Sequence, residues 1–167
     1  MTFEIEMPEE YKEKKLGALE KKLNIKFNDK DLLRSAITRE SWKNEHPESP
    51  IEHNERLEFL GDSVLRFLIS ENCYRHSKRT EGEMTKIRTA IEKGNTLAEI
   101  ARRMGLKDHL LLNVTEQNDT KGERKILADS LEAVLAAVYL DQGLKAARDF
   151  VDKKLLNAYL ELLITQE

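Results

Sequence analysis

The stretch HNERLEFLGDSVL, residues 53–65, decides the fold and raises a question about its own stability. At about 100° per residue, Glu55, Glu58 and Asp62 lie within an arc of about 60° on one side of a helix. The opposite side carries apolar residues that we expect to face the core: Leu57, Leu60, Val64, Phe67 and Leu68. Like charges at this spacing repel, and Gly61 inside a helix costs about 1 kcal/mol relative to alanine. Because local helix stability does not favour this sequence, the acidic stripe indicates another role.

The composition suits one globular domain with many solvated helix faces. The chain has 167 residues, of which 40% are hydrophobic and 35% are charged. This length is sufficient to bury a substantial core, so we treat residues 1–167 as a single domain. The net charge is −3, from 28 basic and 31 acidic residues. The protein as a whole therefore lacks the basic character of a nucleic-acid-binding protein, and a polyanionic partner would require local patches or metal ions.

The sequence predicts a cytoplasmic protein. The single cysteine, Cys73, excludes an internal disulfide framework and fits a reducing compartment. We expect Cys73 to be a packed core thiol. The N-terminal residues lack the basic-then-apolar order of a signal peptide, and no apolar run approaches the roughly 18 residues that suggest a membrane span.

Helical periodicity dominates the chain after residue 50. All three prolines lie in the first 50 residues, and later glycines fall near the ends of apolar helical repeats. The pattern predicts helices at about 9–24, 30–40, 54–77, 81–93, 96–104, 125–142 and 144–163. Two polar connections are predicted, a loop at 44–53 and a mobile loop at 113–124. No segment shows a period of two, so we expect an all-α fold.

Two short sequences predict helix starts. Thr80-x-x-Glu83 and Thr96-x-x-Glu99 fit the capping box, in which side chains satisfy the free N–H groups of a first helical turn. We therefore expect a capped helix to follow each threonine.

A second acidic pair lies in ILADSLEAVLAAVYL, residues 126–140, a helix that is apolar nearly all round. Such a helix is buried, yet it carries Asp129 and Glu132 on one face. Ionised carboxylates in an apolar setting are costly unless they are paired, protonated or bound to a cation. If this face packs against the first acidic stripe, their oxygens form a site suited to a hard divalent cation, with Mg²⁺ or Mn²⁺ preferred.

Simpler interpretations of these carboxylates stay open at this point. Glu55, near a helix start, would favourably complement the helix macrodipole. Glu58 and Asp62 taken alone fit a solvated helix face, and Asp129 and Glu132 fit salt bridges to distant Arg or Lys residues. A carboxylate-bundle di-iron enzyme would need Glu-x-x-His pairs, and the chain has none.

Phe59 projects close to the acidic arc and away from the leucine-rich face. A large apolar side chain beside an acidic site requires cover. A partner subunit would supply it, and another helix of the same chain would do so equally well.

Four ordered segments of the chain resemble the ribonuclease III family. HNERLEFLGDSVL resembles the family's signature, and three further segments agree in order and spacing. They are LEKKLNIKFNDKDLLRSAIT at 19–38, TEGEMTKIRTAIEKGNTLAEIA at 80–101 and KILADSLEAVLAAVYLDQG at 125–143. The similarity covers nearly the whole chain, so residues 1–167 resemble a single ribonuclease III-type endonuclease domain, of which we expect residues 1–8 to be flexible.

The resemblance implies an all-α endoribonuclease domain that acts in RNA processing as a homodimer with Mg²⁺, for which Mn²⁺ would substitute. It would hydrolyse double-stranded RNA to 5′-phosphate and 3′-hydroxyl ends. The family's motif implies four metal-site carboxylates: Glu58, Asp62, Asp129 and Glu132. Asp62 and Glu132 would be catalytic, whereas Glu55 and Glu81 would contact substrate at the edge of the cleft. Phe59 matches an aromatic residue of the family that inserts into the partner subunit.

Five basic residues are further candidates for contacts with RNA phosphates: Lys86, Arg88, Lys121, Arg124 and Lys125. The alternative is that they are solvated surface charges. A non-catalytic double-stranded-RNA-binding scaffold of the same fold is the main alternative function, and a helical interaction module with a chance acidic cluster is another. Because all four metal-site positions are filled, we favour an enzyme.

The sequence departs from the family pattern in two places. A segment that reads THRS in many relatives is TRES at 38–41, so Arg39 replaces a histidine, at a position that we expect to be structural. The chain also ends at Glu167, where bacterial relatives continue into a double-stranded-RNA-binding domain, so we expect a nuclease domain without that module.

Overall fold

The fold consists of helices arranged around one long central helix. In a computed structural model, residues 13–164 are described. The expected flexibility of residues 1–8 concerns a segment outside this range. The helices are α1 (Glu13–Leu23), α2 (Lys30–Ala36), α3 (Glu40–Glu45), α4 (Glu55–His76), α5 (Glu81–Glu92), α6 (Gly94–Arg103), α7 (Val114–Asn118), α8 (Glu123–Phe150) and α9 (Asn157–Ile164).

Two short segments complete the helical architecture. A 3₁₀ helix spans Leu106–His109, and a π-helical segment, Val151–Leu156, joins α8 to α9. Residues 13–164 contain no strand, only an isolated bridge between Thr38 and Leu111. The expected all-α fold is confirmed. None of the helices in this range has the length and apolar run needed to cross a bilayer.

Helix α8 forms the centre of the core because its residues 126–138 are apolar nearly all round. Residues 126–131 and 133–138 of this helix are all buried. It packs most extensively against α4 and α6, and its large apolar residues join those of α1 and α4 in one cluster. Cys73 is buried in this cluster, as expected. The two helices with the acidic pairs, α4 and α8, are therefore direct neighbours.

The position of α4 is fixed at its N-terminus by a buried side chain. Asn54 is fully buried, its N–H donates to the Thr38 carbonyl at 2.8 Å, and its side-chain amide donates to the Ala36 carbonyl at 3.3 Å. A small second core of Trp42, Ile51 and Leu111 packs beneath the preceding loop. These contacts hold the first turn of α4, which carries the acidic stripe, against the rest of the fold.

Two segments differ from the sequence prediction. The predicted helix at 30–40 is broken after Ala36, since Leu111 exchanges backbone hydrogen bonds with Ile37 and Arg39. The predicted loop at 113–124 contains the short helix α7. Gly143, between the helices predicted at 125–142 and 144–163, does adopt a non-helical conformation with φ 85°, so the predicted interruption is confirmed, and α8 continues directly after it.

Of three local predictions, the Thr80 cap is confirmed, whereas the Thr96 cap and the buried position of Phe67 were wrong. Thr80 and Glu83 form the expected capping box at the start of α5. Helix α6 begins at Gly94 instead of after Thr96, and the Thr96 hydroxyl donates to the Ala90 carbonyl at 2.9 Å. Phe67 does not face the core, since half of its surface is exposed.

Candidate metal centre

A polar cleft of about 400 Å³ lies where α4 crosses α8. Its lining contains all four carboxylates that the sequence assigned to a metal site. The lining residues are Arg39, Glu55, Glu58, Phe59, Asp62, Lys125, Asp129 and Glu132. The fold thus brings together two acidic pairs that are about 70 residues apart in the sequence.

Gly61 allows the close contact between the two helices. A Cβ atom at this position would lie 1.9 Å from the backbone carbonyl oxygen of Glu132. Such a distance is far below van der Waals contact, so only glycine permits this approach of α4 to α8. The contact places the Glu58 and Asp62 side of α4 beside Glu132. This packing explains why the signature helix contains a residue that weakens it locally.

Three carboxylates form a compact group. One oxygen from each of Glu58, Asp129 and Glu132 lies within 4.8 Å of the other two. Asp62 borders the same cleft but lies outside this group, and its carboxylate accepts a hydrogen bond from Arg66 at 3.4 Å. Asp62 is therefore at the open edge of the centre, whereas Glu132 is at its inner end.

The electrostatic cost of the cluster appears most strongly at Glu132. Burial, followed by the charges of Asp62, Asp129 and Glu58, raises the pKa of Glu132 from 4.5 to about 8. The pKa of Glu58 is also raised, first by burial and then by the charge of Asp129. Within residues 13–164, the Glu132 side chain has neither a hydrogen bond nor an ion-pair partner. The alternative of a salt bridge is therefore not realised for Glu132.

Asp129, in contrast, is paired with two cations. Its Oδ2 atom accepts a hydrogen bond from Lys125 Nζ at 2.7 Å and another from Arg39 Nη1 at 3.2 Å. The hydrogen bond to Asp129 raises the pKa of Lys125. The alternative of a salt bridge is thus realised at Asp129, but both donors use the same oxygen, which leaves Oδ1 as the oxygen for a further ligand.

The donor set fits a hard divalent cation. Closely spaced carboxylate oxygens are the ligands that such ions prefer. Burial, and then the neighbouring negative charges, disfavour ionised Glu132, and a bound cation would offset this cost. Glu58, Asp129 and Glu132 would supply the close ligands, and Asp62 lines the same cleft.

Arg39 is the site residue that the sequence did not assign. It lines the cleft and bonds Asp129, so the description of its position as purely structural was incomplete. Its guanidinium also pairs with Glu116 of α7 at 3.6 Å. The one signal in the sequence was that an arginine replaces a histidine in the TRES segment. Only the tertiary contact between that segment and α8 shows what the arginine reaches.

Glu55 and Phe59 lie at the rim of the cleft. Glu55 is exposed and lies close to His53 and Glu40, in a second group of neighbouring ligand atoms. Phe59 is 80% exposed, so no helix within residues 13–164 covers it. It also borders a larger, mainly apolar cavity of about 750 Å³ that includes Leu60 and Leu140.

Most of the other assigned residues lie outside the cleft: Glu81, Lys86, Arg88, Lys121 and Arg124. The Arg88 guanidinium of α5 donates to the Ser70 hydroxyl of α4 at 3.1 Å, and this hydrogen bond links the two helices. Arg88 also lies beside Glu92 of its own helix. Glu81 accepts a hydrogen bond from the Thr85 hydroxyl of its own helix. Lys125 is the one basic candidate for a phosphate contact that borders the carboxylates.

The fold and the site together define a class of protein: an all-helical domain with a carboxylate centre, suited to a divalent cation, where its two main helices cross. The family model described as Ribonuclease-III-like matches residues 29–159. The chain therefore belongs to the ribonuclease III family, as the sequence motifs indicated.

Curated relatives and solved structures agree with this assignment. The chain is 44% identical over 140 residues to Ribonuclease 3 of Clostridium beijerinckii, covering 81% of this chain and 59% of the relative. It is 46% identical over 138 residues to Ribonuclease 3 of Nitrosococcus oceani, covering 81% and 56%. The chain thus spans less than two thirds of the length of these relatives.

A solved nuclease domain of ribonuclease III from Campylobacter jejuni has 34% identity and a TM-score of 0.74, covering 84% of this chain and 95% of that domain. The description of that structure refers to a region involved in dimer formation. Dicer from Giardia intestinalis, at 21% identity and a TM-score of 0.68, shares the fold over 94% of this chain and 20% of its own length.

Proposed function

We propose that this chain is a divalent-metal-dependent endoribonuclease that hydrolyses double-stranded RNA to 5′-phosphate and 3′-hydroxyl ends. The observation that carries the proposal is the group formed by Glu58, Asp129 and Glu132, whose oxygens lie within 4.8 Å of one another in an open cleft. The family assignment and the relatives named Ribonuclease 3 support the same activity.

The proposed metal ligands are Glu58, Asp62, Asp129 and Glu132, with Mg²⁺ as the natural ion and Mn²⁺ as a substitute. A bound divalent ion would neutralise the approaching phosphate, lower the pKa of a bound water and stabilise the leaving oxygen. Glu132 must lose its proton to act as a ligand, and its raised pKa means that ion binding and proton release are linked. Asp62 and Glu132 are the proposed catalytic carboxylates.

The proposed RNA-binding surface surrounds the carboxylates. Glu55 lies at the rim of the cleft, and Lys125, with 74% of its side chain exposed, is near enough to the cluster to reach a phosphate. More distant candidates are Glu81, Lys86, Arg88, Lys121 and Arg124. Selection of duplex RNA would depend on A-form shape and 2′-hydroxyl contacts, because its deep major groove hides the base edges.

We also propose that the enzyme is a homodimer in which Phe59 enters a cavity of the partner subunit. The support is that Phe59 is 80% exposed beside an apolar cavity of its own chain. A dimer holds two carboxylate centres at a fixed separation, so each would cut one strand of the duplex. A reduced, buried Cys73 agrees with a cytoplasmic location, where the enzyme would take part in RNA processing.

Cleavage of an end-labelled RNA duplex, with and without Mg²⁺, tests this function. We expect cutting only with the ion, and we expect Glu132→Gln to abolish it while the circular dichroism spectrum stays unchanged. Glutamine keeps the side-chain volume but removes the anionic ligand. Duplex binding without any cutting by the wild-type protein in Mg²⁺ would indicate a non-catalytic scaffold instead.

A further inference from the structure

Arg39 has a fixed position beside the carboxylate group. It is the residue before α3, at the break between α2 and α3, and its backbone N–H donates to the Leu111 carbonyl at 3.1 Å. Only 15% of its side chain is exposed. Both ends of this side chain are thus held, since the backbone is anchored by Leu111 and the guanidinium is packed between α7 and α8.

The guanidinium connects carboxylates from two different elements. Nη1 donates to Asp129 Oδ2 of α8 at 3.2 Å, and Nη2 lies 3.6 Å from Glu116 Oε1 of α7. Glu116 is itself held, because its other carboxylate oxygen accepts a hydrogen bond from the Ser41 hydroxyl. Its backbone N–H also donates to the Asn113 side chain at 2.8 Å. The planar fork of an arginine suits such a bridge, and a lysine has no equivalent geometry.

Lys125, the other cation on Asp129, has a different character. It bonds the same Oδ2 atom, but 74% of its side chain is exposed and the contact lies along one helix at i, i+4 spacing. An incoming divalent cation repels both positive groups. Lys125 is free to move into solvent, whereas Arg39 is packed and is also paired with Glu116.

We propose that Arg39 is a positioning residue of the metal centre: it holds the Asp129 carboxylate by Oδ2 so that Oδ1 is presented as a ligand, while Lys125 moves away. This inference rests on the proposed metal-dependent function. Groups that orient a metal ligand typically change metal affinity about 10- to 100-fold when they are replaced. The negative charge of Glu116 balances the guanidinium, so the pair orients Asp129 with little net repulsion of the ion.

Removing Arg39 alone would change both the orientation of Asp129 and the charge of the site. The double variant Arg39→Gln/Glu116→Gln removes one positive and one negative charge, so the net charge is unchanged while the ionic bridge is lost. Arg39→Lys is the second variant, which keeps the charge and loses the fork. The matched control is Arg148→Gln/Glu71→Gln, which removes a 2.9 Å pair that joins α8 to α4, the two helices with the carboxylates, at a position away from the cleft.

Binding of Mn²⁺ alone, measured by titration calorimetry or by electron paramagnetic resonance, is the primary measurement. We expect the double variant and Arg39→Lys each to bind Mn²⁺ at least about tenfold more weakly than wild type. We expect the control to lie within about twofold of wild type. If Arg39 has only a structural role, both double variants should unfold at a lower temperature, and the Mn²⁺ affinity of each should stay that of wild type.

Wild-type Mn²⁺ affinity in a folded Arg39→Gln/Glu116→Gln variant would overturn the proposal. If that variant does not fold, Arg39→Lys decides the question by the same criterion. If the wild-type protein binds Mn²⁺ and cuts duplex RNA, and the variant binds Mn²⁺ with unchanged affinity, only the proposed role of Arg39 is contradicted. A wild-type protein that neither binds Mn²⁺ nor cuts contradicts the proposed function as well.

Discussion

At the scale of single residues, Glu132 links the stability of the protein to pH. Its pKa in the folded protein is about 8, raised first by burial and then by the charge of Asp62. A group whose pKa is higher in the folded than in the unfolded state binds its proton more tightly when folded. Its contribution to stability is complete below about pH 4.5, the usual pKa of a glutamate, and is lost as the pH rises through about 8.

The metal-free protein should therefore lose stability across this pH window. We expect the free energy of unfolding, measured by urea denaturation with a chelator present, to fall more from pH 5 to pH 8.5 in wild type than in Glu132→Gln. The expected difference is about 2 kcal/mol, roughly half of what the full pKa shift would give, because solvent screens this partly exposed carboxyl. The comparison between the two proteins cancels the contributions of other groups, such as His109, whose pKa is lowered mainly by burial. Parallel pH profiles for the two proteins would show that Glu132 is not protonated in the folded state.

At the scale of helices, the crossing of α4 and α8 depends on Gly61. The atom that an added Cβ would meet is a backbone carbonyl oxygen at 1.9 Å, so no side-chain rotation relieves the clash. The two helices would have to move apart, and the carboxylates of α4 would move away from those of α8.

Gly61→Ala should therefore reduce both stability and metal binding. We expect a loss of about 3 kcal/mol in the free energy of unfolding, at the upper end of typical overpacking costs, together with weaker Mn²⁺ binding. Gly17→Ala in α1 is the control, because nothing lies within 4 Å of its added methyl group. That variant should gain about 0.5 to 1 kcal/mol from the helix preference of alanine. Equal behaviour of the two variants would contradict the close crossing.

Local patterns predicted the central helices and failed where a distant contact decides the structure. The periodic apolar residues predicted α4 at 54–77 and the start of α8 at 125, close to the observed bounds. The break between α2 and α3 requires Leu111, far along the chain, so the periodicity of 30–40 could not show it. The short helix α7 has no buried residue of its own and is held by the Asn113 cap and by contacts of Glu116.

The candidate metal centre likewise depends partly on local sequence patterns and partly on contacts between distant residues. The types and spacing of Glu58, Asp62, Asp129 and Glu132 left a solvated face and salt bridges open, and the resemblance to the family assigned them to one site. The fold places all four in one cleft. Arg39 was missed because its partners, Asp129 and Glu116, are 90 and 77 residues away. The close approach at Gly61 was also missed, since a glycine in a helix does not reveal which backbone packs against it.

At the scale of the whole molecule, the exposed Phe59 is the proposed contact between two copies of the chain. A large apolar side chain with 80% of its surface exposed contributes little to the stability of one subunit. If it is buried in the partner subunit, its truncation costs about 2 to 4 kcal/mol of association free energy, as for an interface hot spot.

Phe59→Ala should therefore weaken the dimer without destabilising the monomer. Sedimentation velocity should show monomers at concentrations where the wild-type protein is dimeric. Leu160→Ala, which truncates a similarly apolar, exposed residue on α9, should leave association unchanged and serves as the control. Unchanged self-association of Phe59→Ala would remove this residue from the interface.

The net charge of the chain bears on how it would bind the proposed RNA substrate. With a net charge of −3, such binding would have to come from a few local basic side chains and from the proposed metal ions. Each phosphate contact releases counterions, so affinity falls steeply as monovalent salt rises. Loss of one such contact, as in Lys125→Gln, should reduce the slope of log K against log salt by roughly one unit.

Specificity for duplex RNA should survive this weak binding, because the specificity depends on the separation of the two centres in the proposed dimer. Two centres held at a fixed separation by a dimer engage both strands of an A-form helix together, whereas a single strand occupies only one centre. We expect activity on long duplex RNA to be highest at low salt with ample Mg²⁺ and to fall sharply as salt rises. Single-stranded RNA and duplex DNA should be cut far more slowly, since neither offers two strands with 2′-hydroxyls at A-form spacing. Assays of the three substrates across one salt series test this, and comparable rates on single-stranded RNA, or rates indifferent to salt, would contradict recognition by a dimer of duplex-spanning sites.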